Sequence, residues 1–150
     1  MTDTPRRLYF AFGANLNRAG MLGRCPSSVA LRSVTIPDWG LAFRKFLDIH
    51  PSPGSHVAGA LYSLTAADEA ALDGYEEAFG TGLYRQTELP VPGTGGTAFA
   101  YIMNDGSFLS PPPADYLATV EQGFRDWRLP DRTLKAALAL AHAASQASAA

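Results

Sequence analysis

Short apolar runs and loose alternation dominate the first two thirds of the chain, and spacing of three and four residues takes over towards its end. Leu8 to Phe12 is an apolar run stopped by Gly13, which predicts a strand, and Asn17 to Arg24 predicts a brief helix closed before Pro26. Val29 to Ile36 alternates, Pro37-Asp38 is a turn signal and Trp39 to Phe46 resumes the pattern, so these segments are expected to pair as a hairpin. His50-Pro51-Ser52-Pro53-Gly54-Ser55 reads as a turn-rich loop. Val57 to Leu64 follows as a strand whose Gly59 marks a bulky neighbour or a bend. Leu83 to Val91 and Thr97 to Met103 are two further strands, joined by the hairpin loop Pro92 to Gly96. Thr65 to Glu76 carries a helical pattern, with Thr65 and Asp68 at capping-box spacing. After the prolines 111 to 113, Leu117, Val120, Phe124 and Trp127 recur at i, i+3, i+7 and i+10, and Leu134, Leu138 and Ala141 predict a second terminal helix. The Ala/Ser-rich end from Ala143 is expected to fray and to be disordered, with His142 exposed to solvent. Five or six short strands and a few helices predict an α+β fold, a small mixed and mostly antiparallel barrel with flanking short helices.

Composition narrows this picture. A chain of 150 residues with 47% hydrophobic content supports one core, so a single domain over 1–150 is expected, its core at about 7–128. The net charge of −2 comes from scattered groups, which announces no nucleic-acid surface. No run approaches about 20 apolar residues, and the N-terminus has no signal-peptide pattern, so neither a membrane partner nor export is expected. The lone Cys25 rules out an internal disulfide and suits a buried position in a cytoplasmic protein.

Several chemistries are disfavoured by spacing. The Gly-rich stretch at 92 to 96 lacks the Lys-Ser or Lys-Thr of a phosphate loop. Ser27, Ser28 and Ser107 have no histidine in a hydrolase motif, and His50 and His56, six apart in a Pro-rich segment, match no zinc spacing.

Two features carry chemistry. Where the first strand runs into Gly13-Ala14-Asn15, backbone N–H groups leave the ladder, and such amides can form an anion-binding concavity; an ordinary turn, with Asn17 capping the next helix, accounts for the same residues. On the Thr65 to Glu76 helix, Ala67, Ala71, Leu72 and Tyr75 define the inward face. At about 100° per residue, Glu76 falls on its flank and Glu77 near the opposite side. Glu76 is therefore the better candidate for a half-buried carboxyl with a raised pKa, able to take and return a proton; a solvated helix-end pair Glu76-Glu77 is the alternative.

The ordered combination of Tyr9-Phe10-Ala11-Phe12-Gly13-Ala14-Asn15-Leu16, Leu72-Asp73-Gly74-Tyr75-Glu76, Gly82-Leu83-Tyr84-Arg85 and Pro113-Ala114-Asp115-Tyr116 resembles the γ-glutamylcyclotransferase-like (AIG2-like) family over roughly Leu8 to Trp127. The resemblance implies the family's small mixed barrel and an enzyme that cyclises a γ-glutamyl amino acid or γ-glutamyl amine to 5-oxoproline without a cofactor. It further implies that the loop at Phe12, Gly13, Ala14, Asn15 and Leu16 binds the glutamyl head, that the acid at Glu76 is the general base and acid, and that the tyrosines at Tyr84 and Tyr116 line the pocket. The implied partner is a small γ-glutamyl substrate; oligomeric state and leaving amine stay open. Three positions depart from the family pattern. Phe12 stands for Tyr, Ala14 for Ser, and Glu77 for the Gly that usually follows the acid. The second and third of these motivate one alternative, a catalytically silent small-molecule binding or regulatory domain; a related enzyme acting on a γ-glutamyl group of a larger molecule is another.

Overall fold

The computed structural model describes residues 5–77 and 83–149, the side chains of 77, 148 and 149 excepted. In chain order the elements are β1 (Arg7–Ala11), a 3-10 turn (Ala14–Leu16), α1 (Arg18–Arg24), β2 (Val29–Arg44), β3 (Phe46–Leu64), α2 (Ala66–Glu77), β4 (Tyr84–Pro90), β5 (Thr97–Met103), α3 (Ala114–Asp126) and α4 (Arg132–Ala149). The five strands form one sheet in the order β2-β3-β1-β5-β4. β1 pairs antiparallel with β3 and parallel with β5; the β2/β3 and β4/β5 hairpins are antiparallel. The expected α+β, mostly antiparallel architecture is present, with β2 and β4 at the edges of a sheet that does not close.

One hairpin differs from its expectation. Pro37-Asp38 does not reverse the chain: β2 runs straight through it and turns at Lys45, whose φ is 69°, so that Arg44 faces Phe46. An edge strand tolerates a proline because its missing N–H points away from the ladder, and Asp38 at φ 66° makes a bulge there. The residues 50 to 55 are likewise no separate loop but the matching irregularity of β3, where the pairing jumps from Pro37–His56 to Trp39–Pro51 and Asp38 Oδ1 accepts from Gly54 N at 3.1 Å. The turn signals were real, and the edge position absorbed them.

The core lies between the inner sheet face and the helices, around Phe10, Leu16, Phe43, Leu61, Leu72, Phe99, Val120 and Phe124. Two glycines allow close approach. A Cβ on Gly59 would lie 2.3 Å from the Ala11 carbonyl and 2.7 Å from the Phe10 ring, and one on Gly123 2.5 Å from Leu16 Cβ. The first lets β3 pass close to β1 and the second seats α3 on the 3-10 turn, where Trp127 Nε1 donates to the Leu16 carbonyl at 2.9 Å. A buried ion pair ties the β2/β3 turn to β5: Arg44 Nε donates to Asp48 Oδ2 at 2.8 Å, and Asp48 Oδ1 accepts from Met103 N at 2.9 Å.

The capping expectations hold. Asp68 N donates to Thr65 Oγ1 and Thr65 N donates to Asp68 Oδ2, the reciprocal box that starts α2. Asn17 Oδ1 accepts from Gly20 N and starts α1. Cys25 is buried and His142 exposed. At the other end α4 continues as helix through Ala149, beyond the Ala/Ser-rich point where fraying was expected; alanine's high helix propensity favours this outcome. No helix among the described residues is long and apolar enough to cross a membrane.

Candidate functional site

The end of β1 and the turn after it supply one wall of a pocket. Gly13 O accepts from Leu16 N at 3.0 Å and Ala14 O from Asn17 N at 3.1 Å, which closes the 3-10 turn. The N–H groups of Ala14 and Asn15, first in that turn, find no acceptor among the described residues. Gly13 itself faces α3: a Cβ there would sit 3.2 Å from the Tyr116 hydroxyl. That hydroxyl accepts from Leu47 N at 3.0 Å, so the loop, the β2/β3 turn and α3 meet at one point.

Helix α2 supplies the opposite wall. Asp68, Leu72 and Glu76 follow one another at four-residue intervals along its inward face, the first two buried and Glu76 partly so, whereas Ala67 and Ala71, expected on that face, are exposed. Glu76 lines a pocket of about 390 Å³ of empty space, open solvent included, with Phe12, Gly13, Ala14, Asn15, Tyr84 and Tyr116. The structure thus brings together all but one of the residues singled out in the sequence. The exception is Leu16, which is fully buried beneath the loop and offers the site its backbone position alone. The Glu77 side chain and Gly82 lie outside the described residues.

Four residues of the lining were not foreseen: Tyr9, Leu47, Tyr75 and Tyr101. The apolar alternation that marked β1 and β5 as strands carried the signal for Tyr9 and Tyr101, since an inward tyrosine needs a polar destination. Tyr9 Oη accepts from Asn15 Nδ2 at 2.9 Å, and Tyr101 donates a short hydrogen bond to Asp73 Oδ1. Leu47 escaped notice because the hairpin turn was expected elsewhere.

Among the described residues of the lining, one group titrates near neutrality. Burial pushes the Glu76 carboxyl from 4.5 up to about 7; the positive Arg24 pulls it down and Asp73 adds to the rise. Burial also raises the Tyr9, Tyr75, Tyr84, Tyr101 and Tyr116 hydroxyls, in each case with a contribution from the Glu76 charge. All five are neutral hydroxyls at physiological pH. Among the described residues no three His, Cys, Asp or Glu side chains cluster as metal ligands. The arrangement offers a ligand two free amides, several hydroxyls and a carboxyl that exchanges its proton around pH 7, which suits a polar substrate undergoing proton transfer.

Known proteins resemble this chain in sequence pattern and in fold. A family model described as gamma-glutamyl cyclotransferase, AIG2-like, matches residues 9–128. A solved structure named gamma-glutamyl cyclotransferase is 24% identical, with 84% of this chain and 82% of that one covered and a TM-score of 0.71. An uncharacterized protein from Homo sapiens is 25% identical, covering 83% and 82%, with a TM-score of 0.70. An AIG2-like protein from Mus musculus is 18% identical, covering 75% and 82%, with a TM-score of 0.51. The 24% and 18% likenesses speak to the fold alone. Curated proteins give no match to the sequence.

Proposed function

Because the chain belongs to the gamma-glutamyl cyclotransferase, AIG2-like family, we propose that it cyclises a γ-glutamyl amino acid or γ-glutamyl amine to 5-oxoproline and releases the amine. The observation that carries this reading is a single carboxyl, Glu76, raised to about 7 in the same pocket as the free amides of Ala14 and Asn15.

The chemistry needs little more. The substrate's α-amine attacks its own γ-carbonyl carbon, a C–N bond closes the five-membered lactam, and the γ-amide C–N bond breaks. Glu76 as carboxylate takes the proton that the attacking amine sheds and returns it to the departing nitrogen, so atoms and protons balance without water or cofactor. Holding the glutamyl chain curled can replace an effective molarity of order 10⁵ M or more. The loop amides serve as donors to an anionic or developing-anionic oxygen, the role for which backbone N–H groups in a pre-formed turn are suited. The tyrosine hydroxyls complete the polar lining while their rings exclude water.

The test is a panel of γ-glutamyl amino acids and γ-glutamyl amines, with 5-oxoproline and the released amine read by mass. Turnover of at least one is expected, and Glu76→Gln should reduce it by about 10² to 10⁴. Absence of 5-oxoproline across the panel, with ligands still bound, would favour the second reading, a silent binding or regulatory domain. That alternative is supported by Phe12 and Ala14, which stand where the family usually has hydroxyl side chains.

A further inference from the structure

Arg24 is the last residue of α1 and lies behind the pocket wall, where no sequence motif drew attention to it. Its guanidinium donates through Nε and Nη2 to one atom, Asn15 Oδ1, at 3.0 and 2.6 Å. Asn15 in turn donates to Tyr9 Oη at 2.9 Å, and its side chain is almost wholly buried. The same guanidinium lies over the Tyr75 ring, 4.2 Å from its centroid. Space for it is cleared one turn back, since a Cβ on Gly20 would come within 3.2 Å of Arg24 Nη2. Arg24 therefore touches both walls at once, the loop through Asn15 and α2 through Tyr75.

The lining of the pocket contains no Lys or Arg among the described residues. We infer that Arg24 is a positioning residue of this site, locking the Asn15 side chain from behind and holding a positive charge over the ring of Tyr75, the residue that precedes Glu76 on α2. It does so without entering the pocket, acting on the substrate through Asn15 and on the proton through Glu76. The inference rests on the cyclotransferase reading for its catalytic meaning, but its electrostatic content is independent of that reading.

Charge balance makes the role specific. Among the described residues, the groups that interact electrostatically with Glu76 are Asp73 on its own helix, Tyr9 from β1, Tyr75 from α2, Tyr84 from β4, Tyr101 from β5, Tyr116 from α3 and Arg24 from α1. The tyrosines are neutral and Asp73 is negative, so Arg24 is the single member of this set that favours the carboxylate over the acid. Without it Glu76 would hold its proton more tightly and serve poorly as a base at neutral pH. A planar guanidinium suits the position because it can stack on Tyr75 and fork onto one oxygen together, which an ammonium cannot do.

The experiment is a carboxyl-carbon NMR titration of glutamate-labelled protein, with Glu76 assigned by the loss of its signal in Glu76→Gln. In Arg24→Gln the Glu76 midpoint should rise by about one pH unit, and Arg24→Lys should bring it partly back. The acidic limb of the pH–rate profile should move the same way, and KM for the best panel substrate should rise in both variants because neither re-forms the fork onto Asn15. An unmoved Glu76 midpoint in folded Arg24→Gln overturns the inference. Should Arg24→Gln fail to fold, Arg24→Met, which keeps the packing on Tyr75 and drops the charge, decides in its place: the midpoint rises if the inference holds and stays put if it does not. A protein that turns over no γ-glutamyl compound would defeat the cyclotransferase reading and leave the titration to decide Arg24 by itself.

Discussion

Replacing Glu76 by Gln should make the protein more stable, by an amount that depends on pH in a set direction. The Glu76 carboxyl stands at an ordinary 4.5 in the unfolded chain and at about 7 in the folded one, chiefly because burial strips water from the charge. Between those values the folded state binds the extra proton, so stability falls as pH rises through this window. At about 1.4 kcal/mol per unit, the gap amounts to roughly 3 kcal/mol, all of it lost above pH 7. Glutamine is nearly isosteric and never charges. The variant should therefore match the parent near pH 4, gain steadily between about pH 4.5 and 7, and hold a lead of about 3 kcal/mol near pH 8.5. Urea unfolding followed by tryptophan fluorescence at the two pH extremes measures the difference, and the subtraction cancels every other titrating group. An equal difference at both pH values would show that Glu76 is solvated and would remove the basis for its role as a base. A buried carboxyl that weakens the fold is the compromise expected of a site built for the proposed chemistry.

Four further outcomes can be checked. With Glu76 acting as base, the rate of cyclisation should rise with pH through about 7, and a profile flat from pH 5 to about 9 would contradict that role. Tyr116→Phe leaves the buried Leu47 N–H without its acceptor and should cost about 1 to 3 kcal/mol in unfolding free energy, in addition to weakening product binding measured by calorimetry. Asp48→Ala strands the buried Arg44 guanidinium and the Met103 N–H and should cost about 3 to 5 kcal/mol, seen as a large drop in Tm with the pocket chemistry untouched in whatever fraction stays folded. Gly59→Ala drives a methyl into the Ala11 carbonyl and the Phe10 ring; a loss of about 3 kcal/mol or more is expected, and full stability would mean that β1 and β3 are farther apart than described.

Much of the fold was legible because periodicity reports burial directly. β1, β4, β5, α1 and α2 begin and end within a residue or two of their expected limits and α3 carries its expected stripe, since strand alternation, a capping box at Thr65 and Asp68, and the spacing of Leu117, Val120 and Phe124 are local signals of local structure. The β2/β3 hairpin was misread because Pro37-Asp38 and residues 50 to 55 carry turn chemistry that an edge strand can accommodate as a bulge, and nothing local says which strand will be an edge. Leu47 went unrecognised as a pocket residue for the same reason, since the turn that carries it lies at Lys45 and not at Pro37-Asp38.

The site divides along the same line. Taken alone, the chain established that Gly13-Ala14-Asn15 closes a strand, that Glu76 shares a helix face with Leu72, and that the whole resembles one family; these are properties of short segments, where geometry repeats every two or every 3.6 residues. Only the tertiary structure decided that the loop amides and the Glu76 carboxyl share one pocket, because β1 and α2 are joined by a long hairpin and no local spacing sets their distance. It alone surrounded that carboxyl with neutral tyrosines from five elements and set Arg24 against Asn15 and Tyr75, and with them its proton affinity. A pKa is a sum over everything within reach in space, so the helical phase could point to a raised value at Glu76 but not to the neighbours that set it.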